Sequence, residues 1–138
     1  MPGTISTTFR APHAQSGVIN VALWVLQVVT AVAVVGAGLA TVSGAAQAVE
    51  MFHQIGAGDW FRYLTAALEV AGGLGLLIPR LSGLAGLALV ALWTGALGTH
   101  LFLIGGNPTP AVVFLVLSAV VAYGRRHGIA ELMGGIVR

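Results

Sequence analysis

Two ionisable residues interrupt otherwise apolar stretches of the sequence, and they are the first candidates for chemistry. Glu69 lies near the middle of the run 60–78, and His100 lies near the end of the run 81–104. A charged side chain at the centre of a membrane costs about 2.5–3.5 kcal/mol on insertion scales, so Glu69 is expected to face other helices and to be protonated or paired. Because histidine changes charge near neutral pH, the two residues are candidates for a catalytic acid–base pair.

Further polar residues flank this pair. Arg62 shares a helical face with Glu69 at a distance of seven residues, or about 10 Å of helix rise. Trp93 shares a helical face with His100. If this face meets the face of Arg62 and Glu69, the side chains form a cluster that opens toward the outer side of the membrane. The alternative is a buried polar pair that only fixes the register of the helices. The candidate binding residues around the pair are Arg62, Trp93, Glu50 and Asp59.

Several kinds of site are excluded or not predicted. The sequence has no cysteine, which excludes disulfides, thiolate metal sites and cysteine nucleophiles. No two histidines recur at helical spacing and no HExxH motif occurs, so no metal site is predicted. No glycine cluster has the strand–turn–helix context of a phosphate-binding loop. We therefore expect no covalently bound cofactor.

The composition determines the class of protein. Of the 138 residues, 57% are hydrophobic and 7% are charged, whereas soluble domains have about 45–50% and about 25%. A net charge of only +2 provides no basic stripe for nucleic acid. The sequence therefore predicts a small integral membrane protein in contact with the lipid bilayer.

Four apolar stretches, at about 17–42, 60–78, 81–104 and 108–123, are candidates for membrane spans, because a spanning helix needs roughly 20 residues. The fourth is short, and a re-entrant segment is the alternative. The predicted fold is an all-α, four-helix transmembrane bundle between an N-terminal tail (1–16) and a C-terminal tail (125–138). A short interfacial helix is expected near 45–55.

Arginine positions predict the orientation of the bundle. In a four-span arrangement one side carries Arg10, Arg80, Arg125, Arg126 and Arg138, and the other carries Arg62. Positive charge collects on the cytoplasmic side, so we expect a multi-pass protein of the plasma membrane with both termini inside. Small residues at every fourth position of the first span, from Ala33 through Ala37 to Thr41, predict its packing face.

The stretch 63–93 reads YLTAALEVAGGLGLLIPRLSGLAGLALVALW and resembles the DoxX-like family of small membrane proteins. Members show an acid early in the second span, a Gly/Leu run, a short turn with arginine and a small-residue third span. Glu69, Gly72-Gly73 and Arg80 match that pattern, and the resemblance covers most of 20–124. Members often carry a basic residue near the position of Gln47, and this chain has none.

The resemblance implies a four-helix bundle and a link to membrane oxidoreductases, because the name-giving relatives act with quinone-linked sulfur oxidation or with oxidative-stress partners. The first hypothesis is therefore a small subunit of a membrane oxidoreductase or other membrane complex, assembled with other subunits or with a second copy, and forming part of a quinone site. The second is a stand-alone isomerase or cyclase that uses Glu69 and His100 on a lipophilic substrate. The third is a transporter component. The sequence does not decide whether the chain is catalytic.

Overall fold

The computed structural model describes residues 17–137, and this part of the chain is helical, with no strand. Its elements in chain order are α1 (Gly17–Val42), α2 (Ala46–Ile55), α3 (Asp59–Leu76), α4 (Ser82–Thr99), a π-helical turn (His100–Ile104), α5 (Thr109–Gly124) and α6 (Arg126–Val137). The all-α prediction is confirmed. The predicted N-terminal tail 1–16 lies outside the described residues.

Local sequence explains where the helices begin and end. Helix α1 follows an apolar run without an ionisable residue. Helix α2 ends at Gly56, whose φ of 76° is left-handed and whose N–H donates to the Phe52 carbonyl, a common glycine C-cap. Helix α5 begins at a proline-containing turn, where the missing N–H has no intrahelical partner to lose.

Two regions differ from the sequence prediction. The third apolar run is divided at His100, where the α-helical hydrogen bonding of α4 gives way to the π-helical turn. The residues predicted as a C-terminal tail form α6, which packs against the start of α4, with Ile129 beside Gly83. Apolar residues recur at helical spacing along α6. Of these, Ile129 and Leu132 are half-buried, whereas Met133 and Ile136 are exposed.

The long helices pack around a shared interior. Helix α1 packs most extensively on α3, and α4 on α5, while α3–α4 and α1–α5 contacts close the arrangement. Glycines allow the backbones to approach: a Cβ on Gly38 would lie 3.0 Å from the Ala66 carbonyl oxygen, and one on Gly73 would lie 3.2 Å from that of Ala31. Small residues serve this purpose in membranes, where apolar burial drives little association.

The packing face of α1 matches the predicted stripe only at Thr41, which is buried. Ala33 is exposed and Ala37 is half-buried, and most buried residues of α1 form a neighbouring stripe. That stripe carries the polar side chains of the helix, which must leave the lipid, so their position decides which face turns inward. Its members are Leu23, Gln27, Thr30, Ala31, Val34, Gly38 and Thr41.

The distribution of polarity is the reverse of that in a soluble protein. Long apolar side chains are exposed along the outside of the helices, among them Val25, Val32, Leu68 and Val116. Polar side chains are buried in the interior, namely Gln27, Thr30, Thr41, Arg62, Glu69, Ser82 and Ser118. An exterior of this kind is suited to lipid contact.

Two helical segments, Gly17–Val42 and Ser82–Ile104, are long and apolar enough to cross a membrane. The pair Thr109–Gly124 and Arg126–Ile136, bent by 65°, adds a third if it is counted as one span. Helix α3 has 18 residues, but Asp59, Arg62 and Glu69 give it a higher charge content than the other long helices. These segments indicate a membrane protein.

Candidate functional site

The buried polar side chains lie at three levels along the helix axes: one at each end of the bundle and one between them. We call the end that contains Gln27, the C-terminus of α3 and the C-terminus of α5 the Arg125 end. We call the end that contains the C-terminus of α1 and the N-terminus of α3 the Arg62 end. Glu69 lies between them on α3.

At the Arg125 end, buried polar groups bond to one another. The Arg125 Nε donates to Gln27 Oε1 at 2.7 Å, and its Nη1 donates to Asn20 Oδ1 at 2.9 Å. The fully buried Gln27 in turn donates from Nε2 to the Leu76 carbonyl at 2.7 Å. One side chain therefore joins α1 to the last turn of α3 and to the residue that follows α5.

Sequence reasoning identified Arg125 only as a topology signal and gave Gln27 no role. The one hint in the sequence is that Gln27 is the most polar residue in the centre of α1. A primary amide in such a run needs partners for both its donor and its acceptor atoms.

At the Arg62 end, a buried guanidinium contacts the end of α1. Arg62 is 7% exposed, and its Nη1 donates to the Thr41 carbonyl at 2.6 Å. The Arg62 Nε lies 4.0 Å from an oxygen of the exposed Asp59 and has no hydrogen-bond partner within residues 17–137. A cation here stabilises the negative end of the α1 dipole.

Glu69 is buried without a partner for one of its oxygens. The residue is 6% exposed, and across the described chain Oε2 accepts no hydrogen bond. Gly38 of α1 faces it so closely that a Cβ there would lie 3.1 Å from the Glu69 Cβ. The carboxyl group therefore lies in the interior, as expected, and no ion pair or hydrogen bond in the described part of the chain joins it to Arg62.

Trp93 of α4 lies at the same depth as Glu69. Gly72 of α3 packs against Leu89 of α4, where an added Cβ would lie 2.6 Å from a Leu89 methyl group. Because α3 and α4 run in opposite directions, Glu69 and Trp93 are displaced from this contact toward the same end, by about 5 and 6 Å of helix rise. We call this level the Glu69–Trp93 layer.

The Trp93 ring is itself held firmly. It is buried and stacks on Phe114 with ring centroids 4.7 Å apart and planes inclined by 21°. Its Nε1 has no hydrogen-bond partner among residues 17–137. A tryptophan N–H is a donor only, so the layer contains one unused donor and one unused carboxyl oxygen.

His100 does not reach this layer. It is half-buried in the π-helical turn, and its Nδ1 lies 2.9 Å from the Ala96 carbonyl. A carbonyl only accepts, so Nδ1 carries the hydrogen in this contact. His100 follows Trp93 by seven residues, about 10 Å of rise toward the Arg62 end. In the described structure no hydrogen bond or ion pair joins it to Glu69, because the spacing along α4 separates them by depth.

The other two predicted binding residues lie outside the interior. Glu50 is exposed on α2, where its Oε1 accepts a hydrogen bond from Gln54 Nε2 at 3.2 Å. Asp59 is 84% exposed at the start of α3. The structure therefore brings only Trp93 to the depth of Glu69. Within the described range, no three His, Asp or Glu side chains are grouped as metal ligands.

Two further buried polar atoms were not predicted as site residues. The hydroxyls of Thr30 on α1 and Ser118 on α5 are fully buried and have no hydrogen-bond partner within the described structure. The signal of Thr30 in the sequence is weak, because it is one of several polar residues in the first apolar run. Ser118 carries no distinguishing signal, because serine is common in membrane helices as a packing residue.

A shallow apolar groove runs along the outside of α3 and α4. Its volume is about 450 Å³ and it opens onto the exposed apolar surface. One end of it is formed by Leu68 and Leu92, which precede Glu69 and Trp93 along their helices. The other lining residues include Ala71, Gly72, Gly75, Leu84, Ala88 and Leu89.

Comparison with known proteins identifies a family. No curated protein and no solved structure shows significant similarity to the chain. A model of the DoxX-like family matches residues 25–124. This range includes Gln27, the Glu69–Trp93 layer and the Arg62 end, and it stops one residue before Arg125. The protein therefore belongs to the DoxX-like family of membrane proteins.

Proposed function

We propose that the protein is a small membrane subunit that holds the head group of a quinone-like lipophilic molecule at the Glu69–Trp93 layer. The observation that carries this proposal is that Glu69 and Trp93, at one level of neighbouring helices, each have a buried polar atom, Oε2 and Nε1, with no hydrogen-bond partner within residues 17–137. Buried polar groups are nearly always hydrogen-bonded, because an unpaired one costs about 1–3 kcal/mol.

A quinone-type head group matches these two atoms. Its carbonyl oxygens accept hydrogen bonds, so one of them is a partner for the Trp93 N–H. A protonated Glu69 donates to the other carbonyl, and an ionised Glu69 accepts from the hydroxyl of the reduced form. Glu69 is thus suited to supply or receive the proton that accompanies reduction or oxidation of the head group.

The groove between α3 and α4 supports a ligand with a long apolar tail. It is lined by alanine, glycine and leucine and ends beside the Glu69–Trp93 layer. A prenyl-like chain in this groove would stay in contact with lipid on its outer side. Ligand sites commonly combine such an apolar lining with a few polar groups that orient the head.

The redox chemistry itself is assigned to another subunit. The chain has no cysteine, and its sequence carries no haem-ligand or flavin motif, so we propose that it assembles with an oxidoreductase partner in the membrane. The stand-alone isomerase or cyclase has less support, because His100 lies outside the Glu69–Trp93 layer and, among residues 17–137, no second acid or base accompanies Glu69 there.

We further propose a four-helix transmembrane bundle in the plasma membrane with both termini in the cytoplasm. The support is that α3 packs along α1 and α5 packs along α4, so each shorter helix lies at the depth of a helix that is long enough to span. The arginines then divide as the positive-inside rule requires.

Single cysteines test this topology cleanly, because the natural chain has none. In intact cells, a membrane-impermeant thiol reagent is expected to label Asn107→Cys and Gln54→Cys but not Arg80→Cys or His127→Cys. Permeabilised cells provide the control, since all four exposed positions should then react. Labelling of His127→Cys from outside would contradict the proposed orientation.

The ligand proposal is tested with Glu69→Gln and the matched control Glu50→Gln, which removes an exposed carboxylate. Protein in nanodiscs is titrated with a soluble quinone analogue, and its binding is followed by quenching of tryptophan fluorescence. We expect Glu69→Gln to weaken binding by about tenfold, or about 1.4 kcal/mol, and Glu50→Gln to leave it unchanged. No binding by the natural protein, or equal binding by both variants, would contradict the proposal.

A further inference from the structure

We propose that Glu69 exchanges protons with the aqueous phase at the Arg125 end and is closed to protons from the Arg62 end. Glu69 lies between two halves of the interior that differ in their buried hydroxyl groups. This difference is present whether or not a quinone binds.

The buried hydroxyls of Thr30 and Ser118 lie at one level, between Glu69 and the Arg125 end. Gly124 of α5 contacts Leu23 of α1, where an added Cβ would lie 2.6 Å from a leucine methyl group. Thr30 lies about 10 Å from Leu23 along α1, and Ser118 lies about 9 Å from Gly124 along the antiparallel α5. Both displacements lead toward Glu69, so the two hydroxyls form one layer.

This hydroxyl layer lies between Glu69 and Gln27. Glu69 of α3 faces Gly38 of α1, and Thr30 is eight residues, or about 12 Å of rise, from Gly38 toward the Arg125 end. Gln27 is about 4.5 Å beyond Thr30 in the same direction along α1, and its Oε1 accepts from Arg125. The step from Gln27 to Thr30 is therefore short, and the longer step from Thr30 to Glu69 requires a short chain of water molecules.

The two hydroxyls of this layer have hydrogen-bonding capacity to spare. Both are fully buried, and neither has a partner within residues 17–137. Buried polar atoms of this kind are typical binding places for internal water, which makes two to four hydrogen bonds. A hydroxyl both donates and accepts, so a chain of hydroxyls and waters can pass a proton.

The half toward the Arg62 end is different. Its buried or half-buried threonine hydroxyls donate to their own helices: Thr41 to the Ala37 carbonyl at 2.9 Å, Thr65 to the Phe61 carbonyl at 2.8 Å, and Thr99 to the Gly95 carbonyl at 2.9 Å. Ala66, nearly inaccessible, lies between Glu69 and Arg62. This half of the described interior offers apolar surface in place of unused hydroxyls.

A fixed charge adds to the difference. The buried Arg62 guanidinium lies on the route from the Arg62 end and repels an approaching proton, as positive groups do in pores that exclude protons. Arg125 is also cationic, but Gln27 and Asn20 accept from it at the far end of the hydroxyl layer. In the described chain, α1 and α5 present no other ionisable group to Glu69, and α4 has only His100, beyond Trp93.

The proton balance of the step is simple. One proton leaves the aqueous phase at the Arg125 end, each hydroxyl or water passes one proton on as it receives another, and the Glu69 carboxylate becomes a carboxylic acid. No electron moves and no other bond changes. The reverse sequence returns the proton to the same phase.

The experiment compares sealed membrane vesicles that expose either the Arg125 end or the Arg62 end, with orientation established by labelling of His127→Cys. After a pH jump in the medium, time-resolved infrared spectroscopy follows the C=O stretch of protonated Glu69, assigned by its loss in Glu69→Gln. We expect the band to respond at least about tenfold faster when the Arg125 end is exposed. Equal rates, a faster response through the Arg62 end, or no response from either end would overturn the proposal.

Substitutions of the buried hydroxyl residues test the route by which the proton reaches Glu69. Thr30→Val with Ser118→Ala should slow the response through the Arg125 end by about tenfold. The matched control Thr41→Val removes a hydroxyl on the other side of Glu69 and should leave the rate unchanged. An unchanged rate in the double variant would overturn the assigned path. If that variant does not fold, the comparison of the two vesicle orientations with the natural protein still decides the question.

Discussion

Gln27 and Glu69 are both buried where α1 packs on α3, but they differ in how their polar atoms are used. Gln27 donates to the Leu76 carbonyl and accepts from Arg125, whereas Glu69 Oε2 has no partner within residues 17–137. A satisfied buried network holds helices in one arrangement. A buried group that lacks a partner needs another explanation, and a ligand or a proton path provides one. The comparison separates a region that maintains the fold from a region available for function.

The largest expected effect on stability is that of Gln27→Leu. The substitution leaves the Leu76 carbonyl and the Arg125 guanidinium each without one partner, and we expect a loss of about 2–4 kcal/mol in unfolding free energy. Unfolding by graded SDS in mixed micelles, followed by circular dichroism, measures it. Gln54→Leu removes an exposed amide and should change little. Equal losses in the two variants would contradict the structural role of Gln27.

The second effect concerns the approach of α1 to α3 beside Glu69. A Cβ on Gly38 would lie 2.8 Å from a Val70 methyl group, while one on Gly36 would meet no atom within 4 Å. We expect Gly38→Ala to destabilise the protein by about 1–3 kcal/mol through overpacking. Gly36→Ala should be neutral or slightly stabilising in the same unfolding assay. Tolerance of alanine at Gly38 would show that the two helices lie further apart.

A smaller effect is expected at the Arg62 end. Arg62→Met keeps an unbranched apolar stem and removes the guanidinium with its hydrogen bond to the Thr41 carbonyl, which should cost about 1 kcal/mol. Arg80→Met is the control, because Arg80 is an exposed arginine in a turn. If both variants unfold at the same SDS concentration as the natural protein, Arg62 does not secure the end of α1.

The smallest effect on stability is predicted for Glu69→Gln. Because Glu69 Oε2 has no hydrogen-bond partner to lose in the described part of the chain, we expect the unfolding free energy to change by less than about 1 kcal/mol. The same variant is expected to lose ligand affinity, so the two measurements together separate function from folding. A large loss of stability would show that Glu69 belongs to the structural region with Gln27.

Several features follow from the sequence because they depend on local composition. The apolar run 17–42 has the same bounds as α1, and the segment expected to form a short interfacial helix contains α2. The burial of Glu69 is predicted by the cost of a carboxylate in lipid. Helix α6 is not predicted, because its weak apolar periodicity follows a charged Arg-Arg-His segment that is typical of the end of a span.

The pairing within the site was less predictable, because it depends on helix depth and rotation. Trp93 and His100 share a face of α4, but only Trp93 reaches the level of Glu69, and the π-helical turn places His100 near the Arg62 end. Ser118 carries no signal in the sequence. Its unused hydroxyl has meaning only beside Thr30, to which α5 brings it from a distant part of the chain.

The sequence by itself determined that this protein is helical, apolar and suited to a membrane, and that its few charges must turn inward, because the cost of exposing a charge to lipid depends on residue type alone. Only the tertiary structure decided which inward polar groups bond to one another. Gln27 meets Arg125 and Leu76, while Glu69, Trp93, Thr30 and Ser118 keep unused polar atoms. The reason is that a hydrogen bond requires atoms within about 3 Å, and helix register and rotation set such distances between residues far apart in the chain.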